Sequence, residues 1–325
     1  MFILQIILGA VLLSIGANFL TDGASAIAKR LKVSEYLIGA TIVAVGTSTP
    51  ELVVSVMSAI NGQSDVSIGN VVGSNIFNIY AILGATALAT PLLLTRENVR
   101  RDIPICLATS LFLCALALDG SLWGGEGNIL SRLDGVMLLV GYGLFLWYMI
   151  RSGRNNSTPA PACDTSANAE TDDKEPRIGV AILKVALGLG GLVWGSDLFL
   201  DGSIDLAHRV GLSEAVIGIV LVAVGTSLPE FFTTFISALK GKTEIALGNI
   251  LGSNIANILL ILGTSATITP LRLGGITSLD MVVMLSAVVA TLIAAFTFKR
   301  NKIDRIEGFV FFAIYVVYTI WLLNK

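Results

Sequence analysis

The chain has 325 residues, of which 54% are hydrophobic and only 14% are charged, whereas about a quarter of the residues in an ordinary soluble domain are charged. This composition excludes a soluble enzyme and predicts an all-α integral membrane protein whose main partner is the lipid bilayer. The formal net charge of -2 gives no basic surface that would bind nucleic acid, and no obligate protein partner is evident.

Ten apolar stretches are predicted to be transmembrane helices, since a helix needs roughly 20 apolar residues to cross a hydrocarbon core of about 30 Å. The long polar stretch at residues 151–177 is predicted to be a disordered cytoplasmic linker. It separates two transmembrane units of five helices each, residues 1–150 and 178–325. The ten stretches lie near residues 3–28, 34–60, 67–90, 103–118, 132–150, 178–206, 212–239, 245–268, 279–298 and 306–323.

The basic residues gather in the loops on one side of the predicted helices. Sixteen of the 21 lysines and arginines fall there, and the positive-inside rule assigns that side to the cytoplasm. Both termini are then predicted to lie in the periplasm or extracellular space. The sixteen are Lys29, Arg30, Lys32, Arg96, Arg100, Arg101, Arg151, Arg154, Lys174, Arg177, Lys240, Lys242, Lys299, Arg300, Lys302 and Arg305.

The two halves repeat one another at a constant offset of 179 residues. The sequence GTSTPE at residues 46–51 recurs as GTSLPE at residues 225–230, and GNVVGSNIFN at residues 69–78 recurs as GNILGSNIAN at residues 248–257. Because five predicted helices separate equivalent residues, the second half enters the membrane from the opposite side. The pattern is an inverted-topology repeat with broken core helices, an arrangement in which secondary transporters bind their substrate at the midplane between the halves.

Two glutamates, Glu51 and Glu230, lie deep inside predicted helices at equivalent places in the two halves. A charge at the bilayer centre costs at least about 2.5–3.5 kcal/mol, so each glutamate needs a reason. A structural reason is available, because Ser48 and Ser227 stand three residues earlier and predict capping boxes with Ser at the N-cap and Glu at N3. The proline before each glutamate is typical of such a helix start after a break.

We favour an ion site over a purely structural cap. A break at membrane depth is tolerated where the backbone is surrounded by protein or lines a water-filled cavity, and it frees carbonyl groups as hard oxygen ligands beside a carboxylate. Intramembrane carboxylates of this kind mark ion pathways. The carbonyls predicted to be free are those near Ala44 and Thr47, and near Ala223 and Thr226.

The second repeated block adds neutral oxygens. Ser74 and Asn78 are four residues apart and share one helix face, as do Ser253 and Asn257. Each block also contains a G-x-x-x-G pair, for which close helix packing is a sufficient explanation. Such packing would bring the serine and asparagine oxygens to the glutamates. Two carboxylates with neutral oxygens suit Ca²⁺, which takes 6 to 8 oxygen ligands at about 2.3–2.6 Å.

These doubled motifs resemble the paired alpha repeats of the calcium/cation antiporter superfamily, specifically the sodium/calcium exchangers. The resemblance implies exchange of Na⁺ for Ca²⁺ by alternating access in a bacterial inner membrane, without a cofactor. It implies that Glu51 and Glu230 coordinate Ca²⁺ with carbonyls around Thr47 and Thr226, and that the first and sixth helices slide over the core. The residues implied for flanking Na⁺ sites are Ser48, Ser74, Asn78, Ser227, Ser253 and Asn257.

Other functions stay open at this point. Two close glutamates can share protons as readily as Ca²⁺, so an H⁺-coupled antiporter is the main alternative. Some exchangers carry Asp where this chain has Asn257, which leaves K⁺ dependence and Na⁺ stoichiometry open. An intramembrane enzyme is disfavoured because the sequence contains no H-E-x-x-H motif and no serine/histidine arrangement. A channel is disfavoured because broken-helix inverted repeats are typical of alternating access.

Overall fold

The computed structural model is almost entirely helical, as the composition predicts. In its described part, six helices are long and apolar enough to cross a membrane, and a bent pair of shorter helices raises that number to seven. This confirms an all-helical membrane protein. The described residues are 2–118, 128–155, 178–209, 223–274, 276–297 and 301–324.

Short strands lie in some of the connections between the helices. Four two-residue strands form two antiparallel ribbons, in which Leu92 pairs with Ile303 and Leu130 pairs with Leu271. Each ribbon therefore ties one half of the chain to the other. The helices are α1 (Phe2–Leu31), α2 (Glu35–Thr47), α3 (Thr49–Ile60), α4 (Ser64–Ala89), α5 (Ile103–Ala117), α6 (Arg132–Asn155), α7 (Ile178–Arg209), α8 (Ala223–Thr226), α9 (Leu228–Leu239), α10 (Thr243–Ile268), α11 (Ser278–Ala294) and α12 (Arg305–Leu323). The strands are β1 (Leu92–Leu93), β2 (Ile129–Leu130), β3 (Leu271–Arg272) and β4 (Lys302–Ile303).

Two predicted boundaries differ from the structure or fall outside it. Helix α6 continues to Asn155, beyond the predicted start of the linker at residue 151, because its helical hydrogen bonding does not end with its apolar residues. The rest of the predicted linker, residues 156–177, lies outside the described residues. The same holds for the first part of the predicted span 212–239, up to residue 222.

Helices α4 and α10 form the centre of the molecule. In their apolar windows 78% and 94% of the residues are buried, whereas the figure is 28% for α1 and α7 and 17% for α12. Helix α10 approaches α2 closely, since a Cβ at Gly248 would lie 2.7 Å from the Tyr36 carbonyl oxygen and one at Gly252 would lie 2.5 Å from the Ala40 Cα. The second G-x-x-x-G pair therefore packs tightly, as its spacing predicts.

Helices α1 and α7 pack against each other as an antiparallel pair along most of their length. Their glycines recur every seven residues, at positions 9, 16 and 23 in α1 and at positions 188, 195 and 202 in α7. A Cβ at Gly16 would lie 2.8 Å from the Gly188 carbonyl oxygen, and one at Gly195 would lie 2.8 Å from the Leu13 nitrogen. The two backbones therefore touch directly, which only glycine allows.

Candidate functional site

Each glutamate follows a break in its helix. Helices α2 and α3 meet at Ser48 with a bend of 48°, and α8 and α9 meet at Ser227. Pro50 and Pro229 lie at the start of the second helix of each pair, where a residue without an N–H group costs no helical hydrogen bond. The break puts the two glutamates in the first turns of α3 and α9.

Both glutamates are fully enclosed and each pairs with the opposite half of the chain. Glu51 and Glu230 are each 1% exposed. The Ser227 hydroxyl donates to Glu51 Oε1 at 2.9 Å, and the Ser48 hydroxyl donates to Glu230 Oε1 at 2.8 Å. The two helix breaks therefore face each other, and their carboxylates lie at the contact between the halves.

The predicted capping boxes do not form. Ser48 and Ser227 occupy the N-cap positions, but neither side chain makes a capping hydrogen bond. The prediction was wrong because the serines donate to glutamates of the other half, which a local sequence pattern cannot reveal. A purely structural capping role for Glu51 and Glu230 is thereby removed.

Four buried oxygens at this contact accept no hydrogen bond from any part of the protein that the structure describes. They are Oε2 of Glu51, Oε2 of Glu230, Oδ1 of Asn78 and Oδ1 of Asn257. They form two pairs related by the sequence repeat. An unsatisfied buried acceptor costs about 1–3 kcal/mol, and more when it is charged. A cation coordinated by these oxygens would remove that cost.

Two asparagines orient the side chains of Asn78 and Asn257. Asn75 and Asn254 donate to each other's backbone carbonyl oxygens, both at 3.3 Å. Asn254 Oδ1 accepts from Asn78 Nδ2 at 3.0 Å, and Asn75 Oδ1 accepts from Asn257 Nδ2 at 3.1 Å. These bonds use the Nδ2 atoms of Asn78 and Asn257 as donors. The Oδ1 atoms of the same side chains are left as acceptors without a partner among the described residues.

A second pair of asparagines ties the core helices to the broken ones. Asn70 donates to the Glu51 carbonyl oxygen at 3.2 Å and to the Ser55 hydroxyl at 2.9 Å. Asn249 donates to the Glu230 carbonyl oxygen at 3.4 Å and to the Thr234 hydroxyl at 3.0 Å. No role is predicted from the sequence for Asn70, Asn75, Asn249 and Asn254. Their recurrence at the repeat offset was the signal that could have found them.

Three more predicted ligands, Ser74, Ser253 and Thr47, lie close to the two helix breaks. Ser74 Oγ lies 3.2 Å from Ser227 Oγ, and the Ser253 hydroxyl donates to the Ala44 carbonyl oxygen at 3.5 Å. The Thr47 hydroxyl lies 3.2 Å from that carbonyl and 3.1 Å from Asn249 Oδ1. The Ala44 carbonyl also accepts the Ser48 N–H at 3.0 Å. It is therefore not freed by the break, because the helical hydrogen bond persists up to Ser48.

The second break is built slightly differently. Ser227 N donates to the Val224 carbonyl oxygen at 3.1 Å, one residue nearer than the equivalent bond of the first break. Thr226 lies buried at the end of α8. Ala223 begins α8, and its side chain lies outside the described part of the chain.

Two core helices change their winding beside the site. A π-helical segment runs from Phe77 to Leu83 in α4, and its repeat equivalent runs from Asn257 to Leu262 in α10. Such segments widen the helix and are frequent at functional sites. Asn78 and Asn257 lie at the start of these segments, and their side chains bond to asparagines of the opposite half.

The donor set consists of hard oxygens. The described residues contain no group of three or more histidine, cysteine, aspartate or glutamate side chains that could hold a metal. Two carboxylates with hydroxyl and amide oxygens suit a cation that is bound and released, rather than a metal that prefers nitrogen or sulfur.

Comparison with known proteins agrees with this chemistry over the whole chain. CaxA of Alkalimonas amylolytica is 36% identical over 322 residues, with 98% of each chain covered. The sodium/calcium exchanger MaX1 of Methanosarcina acetivorans is 34% identical, with 98% of this chain and 97% of the relative covered. The inner membrane protein YrbG of Escherichia coli is 33% identical, with 82% of this chain and 79% of the relative covered.

A solved structure has the same architecture. The sodium-calcium exchanger NCX_Mj soaked with Na⁺ and Ca²⁺ superposes with a TM-score of 0.80 at 30% identity, and the match covers 98% of this chain and 97% of that one. The family described as sodium/calcium exchanger protein matches residues 1–151 and 180–324. The chain belongs to the sodium/calcium exchanger family, which makes it a membrane antiporter for Ca²⁺ and other cations.

Proposed function

We propose that the protein exchanges Na⁺ for Ca²⁺ by alternating access, with the ions bound between Glu51 and Glu230. The observation that carries this proposal is the set of four buried, unpartnered oxygens on Glu51, Glu230, Asn78 and Asn257. Two of them come from each half of the chain, and the helical segments that carry Asn78 and Asn257 pack against those that carry Glu230 and Glu51. A bound cation would stabilise all four oxygens together, whereas protonation would neutralise only the two carboxylates.

The two carboxylates provide the charge that a divalent cation needs. Glu51 and Glu230 neutralise Ca²⁺ as a pair, and carbonyl oxygens around Thr47 and Thr226 complete its shell of 6 to 8 oxygens. The Ala44 carbonyl can join this shell only when it is released from the hydrogen bonds that it accepts from Ser48 and Ser253, and Ala223 is proposed as its repeat equivalent. The neutral oxygens of the flanking Na⁺ sites come from Ser48, Ser74, Asn78, Ser227, Ser253 and Asn257.

The architecture proposed for this function is a ten-helix inverted repeat. The two five-helix units are residues 1–150 and 178–325, joined by a cytoplasmic linker at 151–177. The reciprocal hydrogen bonds support a two-fold relation between the units, because each bond from Ser48 or Asn75 has its counterpart from Ser227 or Asn254. The basic loops support periplasmic termini in a bacterial inner membrane.

Alternating access requires one part of the molecule to move over another while the site stays intact. Helices α1 and α7 suit the moving part. They contact each other backbone to backbone, and only 28% of their apolar windows is buried. The reciprocal asparagine bonds between α4 and α10 suit the fixed part, since they hold the two buried core helices together.

Purified protein in liposomes tests the proposal. An outward Na⁺ gradient is expected to drive ⁴⁵Ca²⁺ uptake that stops when the gradient is dissipated. Parallel vesicles with an H⁺ gradient, or with K⁺ added on one side, test the H⁺-coupled and K⁺-dependent alternatives. Uptake driven by H⁺ alone would assign the protein to an H⁺-coupled antiporter. A Ca²⁺ flux that is the same with and without the Na⁺, H⁺ and K⁺ gradients would reject exchange altogether.

A further inference from the structure

A stripe of buried polar residues leads away from the site along α9. Glu230, Thr233 and Ser237 follow each other at helical spacing, and all three are at most 1% exposed. The Thr233 hydroxyl is also without a partner in the described part of the protein. Apolar residues would pack more favourably on this face. The stripe therefore needs a reason other than packing.

The stripe ends at α1, close to the exposed end of α9. The hydroxyls of Ser237 and Thr21 lie 2.8 Å apart, and both residues are fully buried. The next residue of α1, Asp22, accepts from Lys240 at 2.6 Å, and these two side chains are 48% and 30% exposed. A line of polar groups thus runs from Glu230 to the surface, and α1 covers its outer end.

A second ion pair fastens the same region. Lys242 Nζ lies 2.8 Å from Glu35 Oε1 at the start of α2, and the Ser25 hydroxyl of α1 donates to the same carboxylate oxygen. Lys240 and Lys242 both belong to the turn between α9 and α10. The first and second helices are therefore held to this turn by two partly exposed ion pairs.

The turn between α3 and α4, which is the repeat equivalent of the turn between α9 and α10, has no lysines at the corresponding positions. The residues equivalent to Lys240 and Lys242 are Asn61 and Gln63, which carry no charge, and Val54 stands where the second half has Thr233. The other end therefore cannot form equivalent ion pairs.

The residues that begin α3 and α9 also differ in their exposure. Thr49 is exposed and Pro50 is partly exposed, whereas the equivalent Leu228 and Pro229 are buried. The start of α3 is thus more exposed than the start of α9.

We propose that the line from Glu230 through Thr233 and Ser237 is the route of hydrated Na⁺ and Ca²⁺ to the face at which α9 ends. The Thr21–Ser237 contact is its gate, and the Asp22–Lys240 and Glu35–Lys242 ion pairs are a latch that holds the gate shut. The inference rests on the proposed exchange function. The basic loops put this face in the cytoplasm, so the latch favours the state that is closed inward.

The strength of the latch fits this role. Partly exposed ion pairs contribute little stability, so they shift the balance between two states without locking either. Because the first half has no counterpart, the bias acts in one direction only. An exchanger whose halves are equivalent in sequence would otherwise favour neither side.

The test uses a cysteine reporter in the full-length chain. Cys106, Cys114 and Cys163 are replaced, and Thr233→Cys reports the closed end. Val54→Cys, at the equivalent position, reports the other end. A membrane-impermeant thiol reagent is applied to sealed vesicles of each orientation. We expect Lys240→Asn to speed modification of the Thr233→Cys reporter about two- to fivefold, as loss of one partly exposed ion pair predicts, and to slow that of the Val54→Cys reporter.

Two further variants separate a latch from local damage. Asp22→Asn is expected to act like Lys240→Asn, and the swapped pair Asp22→Lys with Lys240→Asp is expected to restore slow modification. If the Thr233→Cys variant does not fold, Ser237→Cys replaces it, and because Ser237 belongs to the gate, every rate is then compared with that of Ser237→Cys alone. Unchanged rates in both neutralising variants would overturn the proposal, as would failure of the swapped pair to restore them. The labelling rate does not require exchange, so a failure of Na⁺/Ca²⁺ exchange in liposomes is recognised separately.

Discussion

Ser227 donates a hydrogen bond to Glu51 across 176 residues of sequence, and its repeat equivalent Ser48 returns the same bond to Glu230. Each carboxylate therefore uses one oxygen to bind the opposite half and keeps the other without a partner. The hydroxyl bonds set the positions of the glutamates. The unpartnered oxygens are the ones that we propose for the ion.

The different roles of the two oxygens of each carboxylate predict the effect of neutralising either glutamate. Glutamine at position 51 or 230 keeps an oxygen that accepts the serine hydroxyl, but it removes one of two negative charges available to a divalent cation. We expect Glu51→Gln and Glu230→Gln to fold normally and to lose Na⁺-driven ⁴⁵Ca²⁺ uptake to the same extent. Glu97→Gln, at an exposed position, is the matched control. Ca²⁺-dependent thermal stabilisation that survives both substitutions would contradict a site shared by the two carboxylates.

The serine hydroxyls of α4 and α10 predict a separate effect on Na⁺. Ser74 lies beside Ser227, and Ser253 lies beside the Ala44 carbonyl, so both add neutral oxygens at the edges of the site. We expect Ser74→Ala and Ser253→Ala to raise the Na⁺ concentration for half-maximal exchange more than they weaken the apparent Ca²⁺ affinity. Ser14→Ala on α1, whose hydroxyl bonds its own helix, is the control. An equal loss for both ions would argue against separate Na⁺ ligands.

The two buried glutamates that meet between the halves could be predicted from the sequence, but their contacts and the asparagines around them could not. The repeat identified Glu51 and Glu230 because two equivalent charges in apolar helices need a common reason. The capping prediction failed because the spacing of Ser48 and Glu51 describes one helix, whereas the bond that forms depends on how the halves dock. The repeat offset marks Asn75 and Asn254 as equivalent positions, but that the two side chains contact each other is visible only in the folded protein.

The reciprocal Asn75–Asn254 bonds predict a positioning role. Alanine at either position removes an amide that holds the opposite backbone and the side chain of Asn257 or Asn78. We expect a loss of about 1–3 kcal/mol in stability together with weaker apparent Na⁺ affinity. The measurements are thermal unfolding in detergent and Na⁺ titration of exchange. A variant with unchanged Na⁺ titration and lower stability would limit Asn75 to a structural role.

The glycine contacts between α1 and α7 predict a strong dependence on side-chain size. A Cβ at Gly16 would lie 2.8 Å from backbone atoms of α7, whereas a Cβ at Gly190 would meet nothing within 4 Å in the described part of the chain. We expect Gly16→Ala to lower thermal stability and exchange by forcing the helices apart, at a cost of about 1–3 kcal/mol. Gly190→Ala is expected to be neutral or slightly stabilising. Equal behaviour of the two variants would contradict direct backbone packing.

The inverted arrangement of the halves is tested by the location of the loops and the C-terminus. If five helices cross the membrane in each half, every basic loop lies on one side and both termini lie on the other. Reporters inserted after Lys32, within residues 157–171 and after Lys302 are expected to be cytoplasmic, and one fused at Lys325 is expected to be periplasmic. Two reporters that are active in opposite compartments make each result positive rather than an absence of signal. A cytoplasmic C-terminus would mean that one predicted helix does not cross. That result would contradict five crossings in the second half, whereas a periplasmic reporter within residues 157–171 would place Glu51 and Glu230 on helices that enter the membrane from the same side.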